Sequence, residues 1–183
     1  MNPDFYLVID FEATCDDQGR VPRREMEIIE FGAVMVDAHS LQIVSEFGRF
    51  IRPVRHPLLT PFCQQLTSIR QADVDAAADF ATVIAEFRAW IANYPNLIFG
   101  SWGDYDRHQL QQDCDFHDVP YPIPAGHINL KKQFAQAQML PKALGLGQAV
   151  RFAGLAFVGT HHRGIDDARN IAALLPWILQ STV

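Results

Sequence analysis

Residues 5–11, Phe-Tyr-Leu-Val-Ile-Asp-Phe, run almost without a polar interruption until a carboxylate appears. Such a run reads as a strand buried on both faces, so the chain has to place structure above and below it. The end of that strand carries Asp10-Phe11-Glu12. Carboxylates at i and i+2 project from one strand face. Held together at the end of the most hydrophobic strand, they repel unless a positive charge sits between them. Mg²⁺ or Mn²⁺ suits that place, because hard cations take oxygen ligands. A solvated strand end would also tolerate both acids, and the pair taken alone leaves the two readings open.

The rest of the chain reads as alternating elements. Residues 28–37 and 41–52 are strand-like and are joined as a hairpin by Ala38-His39-Ser40. Prolines 53, 57 and 61 then make a loop, and residues 62–66 one helical turn. Phe80, Val83, Ile84, Phe87 and Ile91 have the spacing of an amphipathic helix over 79–93. A short strand at 97–101 and a helix at 104–117 follow. After a proline-rich loop come a short strand at 127–130 and helices at 131–138, 142–153 and 165–179, the last kinked at Pro176. This order predicts an α/β layer fold with a mixed five-stranded sheet, three antiparallel strands followed by two parallel ones, flanked by helices. No repeat, low-complexity tract or linker divides it, so residues 1–183 are expected to form one domain.

Composition narrows the function. With 49% apolar and 20% charged residues, the chain is neither disordered, collagenous nor coiled-coil. No apolar stretch approaches the roughly 20 residues of a membrane helix, and the N-terminus lacks a secretory pattern. Cys15, Cys63 and Cys114 are odd in number and widely spaced. They suggest neither a disulfide framework nor a zinc site, and a reducing, cytoplasmic setting is expected. The net charge of −6 argues against a protein that wraps duplex DNA. An acidic chain can still process nucleic acid if its carboxylates hold cations. Twelve of the basic residues are Arg and three are Lys, a bias that suits phosphate contacts and surface ion pairs alike.

Two helix starts carry paired aspartates. In Gly103-Asp104-Tyr105-Asp106, Asp104 shares a face with Arg107, His108 and Gln111, whereas Asp106 aligns with Leu110 and Cys114. In Gly164-Ile165-Asp166-Asp167, Asp166 aligns with Arg169 and Asn170, and Asp167 with Ile171 and Leu174. In each pair the first Asp reads as an N-cap and the second as an inward carboxylate that needs a partner. If these elements converge on Asp10 and Glu12, four carboxylates meet. His162, five residues before Asp167, is then placed to accept a proton near neutral pH. His161 reads as an ordinary surface or core histidine.

Asp10-x-Glu12, Asp106 and His162-x4-Asp167 match the ordered motifs of the DEDDh 3′–5′ exonucleases. The strings DFEATC (10–15), EIIEFGAV (27–34), FCQQLTSI (62–69), GDYD (103–106) and HRGIDDARNIA (162–172) resemble the histone-mRNA 3′ exonuclease, or enhanced-RNAi, branch. The resemblance covers residues 5 to about 179, and Ser68 departs from it where a Gly is expected. It implies a ribonuclease H-like fold. It also implies two divalent ions, Mg²⁺ or Mn²⁺, held by Asp10, Glu12, Asp106 and Asp167, with His162 as general base. The implied substrates are single-stranded 3′ ends, RNA before DNA, released as nucleoside 5′-monophosphates. Tyr105 and Phe11 are candidates for stacking on unpaired bases. Thr14, Leu66 and Thr67 are candidates for lining the terminal sugar. An oligoribonuclease-type enzyme acting on very short oligonucleotides is the near alternative, and a non-catalytic binding module the distant one.

Overall fold

The computed structural model describes residues 2–179. Strand β1 (Phe5–Ala13) outruns the apolar segment by two residues. Strands β2 (Ile28–Asp37) and β3 (Ile43–Phe50) form the expected hairpin, and the Asp37 carboxylate accepts hydrogen bonds from the turn residues His39 and Ser40. Helices α1 (Pro61–Thr67), α2 (Gln71–Asp75) and α3 (Phe80–Ile91) lead to β4 (Leu97–Ser101). Helix α4 (Tyr105–Phe116), β5 (His127–Asn129) and helices α5 (Leu130–Ala137), α6 (Leu146–Phe152), α7 (Gly164–Ala173) and α8 (Leu175–Leu179) complete the chain. The sheet order is β3-β2-β1-β4-β5, with antiparallel pairing among β1, β2 and β3 and parallel pairing from β1 to β4 to β5.

Both faces of β1 are covered, and residue parity decides by what. Leu7, Ile9 and Phe11 join Phe31, Phe87 and Leu110 in the core beneath α3 and α4. Val8 joins Val34, Phe134, Ala168 and Ile171 in the core beneath α5 and α7. Burying each such side chain is worth about 1.5–3 kcal/mol, and these two layers hold the sheet between the helices. Asp10 and Glu12 have the parity of Val8, so they face α7.

Several local expectations need correction. The run 165–179 is two helices that meet at Leu174, and Pro176 lies in the first turn of α8, where its missing N–H costs no hydrogen bond. Helix α6 begins at Leu146 rather than 142, because Gly145 is its extended N-cap residue. Helix α2 was not legible in the sequence. Asp104 occupies the N-cap position of α4, yet its side chain caps nothing there and instead accepts from Asn129 (2.9 Å) and Lys132 (3.4 Å). Asp166 lies inside α7, which starts two residues earlier, and it accepts from the Thr160 N–H (2.9 Å) and from Arg169 (2.8 Å).

Buried acids tie the loops to this frame. Glu27 accepts the N–H groups of Val54 and Arg55, which fixes the chain after β3. Ser68, the departure from the family pattern, ends α1 in the left-handed region at φ 60°. A non-glycine residue pays a steric penalty there that glycine avoids. Relieving that penalty, about 1–2 kcal/mol, should exceed glycine's greater unfolded-state entropy, so Ser68→Gly is expected to stabilise the protein by about 0.5–1 kcal/mol, or roughly 1–4 °C in Tm. A thermal melt checks this, and a lower Tm would mean that the serine side chain contributes more than the backbone strain costs.

Candidate active site

Strand β4 pairs with β1 only as far as Val8↔Gly100, so the last residues of β1 project beyond its parallel neighbour. Ligand sites in α/β sheets gather at such carboxyl ends, where strand direction or order switches. The backbone N–H of Phe11, left without a strand partner on that side, donates to Asp106 Oδ1 at 3.0 Å. Helix α4 thereby delivers its first-turn aspartate to the space vacated by β4. The buried Ser101 hydroxyl, at the end of β4, donates to the Gly103 carbonyl at 3.0 Å and lies 2.9 Å from His127 Nε2, and its proximity favours the charged form of Asp106.

From the opposite layer, α7 supplies Asp167. Carboxylate oxygens of Asp10, Glu12 and Asp167 lie within 4.8 Å of one another. Those three acids and Asp106 line one cavity, and among the described residues no Lys or Arg lines it. Placing α7 takes two glycines and a buried acid. Glu30, opposite Glu12 on β2, accepts from the Gly164 N–H (3.0 Å) and from the Arg163 guanidinium (3.0 and 3.2 Å).

The electrostatics follow from this crowding. Burial, then repulsion from Asp106, Asp167 and Glu12, holds the Asp10 carboxyl well above the usual range. Burial and the neighbouring acids push Glu12 up to about 9. Burial raises Asp106 to about 6 against the opposing Phe11 hydrogen bond. Burial also raises Asp167, opposed by its bonds from His161 and His162. Acids this strained by one another are relieved by a cation of high charge, and an all-oxygen donor set of this size fits a hard divalent ion.

His161 and His162 both reach the cavity, which corrects the expectation that His161 is an ordinary histidine. His161 Nδ1 lies 3.1 Å from each Asp167 oxygen, and its ring stacks on His162 at 4.0 Å. The His162 backbone, at φ 63°, donates its N–H to Asp167 Oδ2. Among the described residues none hydrogen-bonds the His162 ring. Burial and the adjacent His161 lower the His162 pKa, so its imidazole is neutral at pH 7.

The remaining expected residues divide. Tyr105 and Leu66, each 36% exposed, line the cavity. Phe11 lines it too, but its ring packs edge-on against Phe31 at 4.5 Å in the core. Thr14 and Thr67 are not presented to the cavity. Thr14 is buried and accepts the Glu27 N–H, whereas Thr67 is buried and bonds back to the Cys63 carbonyl. Trp102, Met26 and Leu146 line the cavity unanticipated. Trp102 directly precedes the GDYD string, and that proximity was the available signal.

The sequence matches the family model described as Exonuclease (RNase_T) over residues 7–175. It is 36% identical over 179 residues to ERI1 exoribonuclease 3 of Homo sapiens, covering 93% of this chain and 52% of that one. It is 33% identical over 196 residues to ERI1 exoribonuclease 2 of Homo sapiens, covering 95% and 28%. The chain therefore spans about half or less of the length of these curated relatives. Among solved structures, the nuclease domain of 3′hExo, a DEDDh family member, bound to rAMP, superposes with a TM-score of 0.89 at 31% identity, covering 97% of this chain and 92% of that one.

The raised carboxyls set a direction for stability. Each binds its proton more tightly when folded than at an unfolded pKa of about 4, so its contribution is complete below that value and is lost as pH rises through the folded pKa. His117, His127 and His162 are lowered and act in the opposite sense, but only below about pH 6.5. In chelator, Tm is therefore expected to fall between about pH 6.5 and 9. Millimolar Mg²⁺ should restore it, and more at the alkaline end, because ligands must be deprotonated to bind. A Tm that ignores both pH and metal over that window would contradict the assignment of these acids to a cation site.

Proposed function

The chain belongs to the exonuclease (RNase_T) family, and on that premise we propose that it is a cytoplasmic 3′–5′ exonuclease of the DEDDh type. Its substrates are single-stranded 3′ ends, RNA before DNA, and its products nucleoside 5′-monophosphates. The observation that carries this reading is the convergence of Asp10, Glu12, Asp106 and Asp167 in one cavity beside a neutral His162. The preference for RNA is supported by the exoribonuclease names of the relatives and by the rAMP bound to the solved nuclease domain.

Asp10, Glu12, Asp106 and Asp167 would hold two divalent ions, Mg²⁺ or Mn²⁺. Bound there, such ions would acidify water and offset charge on the scissile phosphate and the departing 3′ oxygen. His162 would accept the proton of the attacking water at a ring nitrogen that no described residue hydrogen-bonds, and its lowered pKa keeps it ready to do so. His161 steadies the Asp167 carboxylate, which fixes that ligand's orientation. The Phe11 N–H holds Asp106 through Oδ1, which would fix its carboxylate for a place in that donor set. Tyr105, Trp102 and Leu66 bound a cavity that takes one unpaired terminal nucleotide, with Tyr105 offering a stacking face.

The test uses end-labelled RNA and DNA strands of one sequence, with free or blocked 3′ ends, in Mg²⁺, Mn²⁺ or chelator. Stepwise shortening of free 3′ ends is expected, faster on RNA, and lost in chelator and in Asp10→Ala. Asp167→Asn should abolish turnover while Asp166→Asn retains it. His162→Ala is expected to lower kcat by about 10²–10⁴-fold and to remove the acidic limb of the pH profile, whereas His161→Ala costs less. Faster cleavage of a dinucleotide than of a longer strand would move the reading to a scavenger of very short oligonucleotides. Binding without any cleavage would move it to a non-catalytic module.

A further inference from the structure

Two arginines lie over exposed aromatic rings at opposite ends of one face of α4, and one of these stacks borders the cavity. Arg23 sits over Tyr105 at 4.3 Å, and Arg55 over Phe116 at 3.3 Å. Tyr105 and Phe116 are eleven residues apart, three helical turns, so they share a face and are separated by about 16 Å. The Gln112 side chain, between them, bonds the carbonyls of Arg23 and Met26, and Arg55 Nη1 bonds the carbonyl of Arg24. These contacts fix the two stacks to one short segment of backbone. The first stack borders the cavity, since Tyr105 and Met26 line it. The second opens on a shallow groove along α4.

Six other arginines pair with carboxylates and Arg52, Arg88, Arg107 and Arg151 do not, but among the described residues only Arg23 and Arg55 both lack a carboxylate partner and lie over a ring. The nearby acids are engaged elsewhere. Glu25 pairs with Arg24 and His56, Asp115 accepts from Gln111, and Asp113 is buried against the Ile28 N–H. In a chain of net charge −6, two unneutralised cations stacked on exposed rings are therefore concentrated on one path that begins at the cavity.

We infer that this path is the track for the strand upstream of the cleaved nucleotide. Arg23–Tyr105 receives the first phosphates, and Arg55–Phe116 holds a nucleotide further toward the 5′ end. Aromatic faces that accept any base, interleaved with cations for phosphates, are the features that bind single strands without sequence preference. At a stacked spacing of about 3.4 Å per nucleotide, 16 Å corresponds to roughly five nucleotides. Arg55 and Phe116 therefore act on strands long enough to reach them and are silent for a dinucleotide. The inference rests on the exonuclease reading above for its polarity and start point.

The test compares the wild type, Arg55→Ala, Arg55→Lys, Phe116→Ala and, as a remote control, Arg88→Ala. Each is assayed on a 12-nucleotide oligouridylate and on the uridine dinucleotide in Mg²⁺. Binding of the labelled 12-mer is measured separately by anisotropy in chelator at several salt concentrations. Arg55→Ala and Phe116→Ala should weaken 12-mer binding and raise its KM by about fivefold or more, and leave dinucleotide cleavage within about twofold. Arg55→Ala should also flatten the salt dependence by about 0.7 in log–log slope, and Arg55→Lys should keep the slope while losing affinity. Arg88→Ala should change nothing. Equal losses on both substrates, or no loss on the 12-mer, would overturn the track. If the wild type cleaves neither substrate, the exonuclease reading fails, and the anisotropy series still decides the track by itself.

Discussion

A Cβ atom on Gly32 would lie 2.1 Å from the carbonyl carbon of Gly164, and one on Gly164 would lie 2.8 Å from the Asp10 carbonyl oxygen. Helix α7 can rest on the middle of the sheet only because neither position carries a side chain. That contact sets the height of α7 above β1, and the site depends on the height. Glu30 adds the orientation by gripping Arg163 and the Gly164 N–H at the helix entrance. Asp167, less than one turn further on, then faces Asp10 and Glu12. Lifting the helix by the width of a methyl group would leave the fold class intact and separate the acids.

The assembly of the site opposes the stability of the fold. Buried, mutually repelling carboxylates cost free energy that the two apolar layers must offset. The frame carries this burden because its strands are covered on both faces and because its other buried acids are satisfied. Glu27 and Glu30 accept backbone N–H groups, and Asp113 accepts from Ile28 and Gln109. The acids left facing one another are those at the end of β1 and at the first turns of α4 and α7. A protein with a stability margin of order 10 kcal/mol can hold such a cluster, but only by meeting nearly every other polar demand.

Much of this was legible in the sequence, for a physical reason. Burial on both faces leaves a continuous apolar run, so β1 and β2 declared themselves, and helix periodicity separated inward Asp106 and Asp167 from outward Asp104 and Asp166. What failed was local rather than global. Asp104 and Asp166 have the residue type of N-caps, but helix-start chemistry does not say which residue begins the helix, and here tertiary partners (Asn129, Thr160, Arg169) took the side chains. Thr14 and Thr67 hold neighbouring backbone, which a match of sequence strings does not distinguish from lining a site. His161 was overlooked because it belongs to a turn with a left-handed residue, where neither helix nor strand periodicity assigns a direction. The Arg23–Tyr105 and Arg55–Phe116 stacks join residues 82 and 61 positions apart, which no window along the chain can reveal.

The alternation along β1 has a consequence beyond the chemistry. Odd-numbered residues from Leu7 to Phe11 answer to the core, and even-numbered Asp10 and Glu12 answer to the cavity. On the proposed reading of the site, loss of turnover and loss of fold are thus written on alternate residues of one nine-residue strand. A gene copy can shed the first without the second. A copy without those acids would keep its two apolar layers and the groove beside α4.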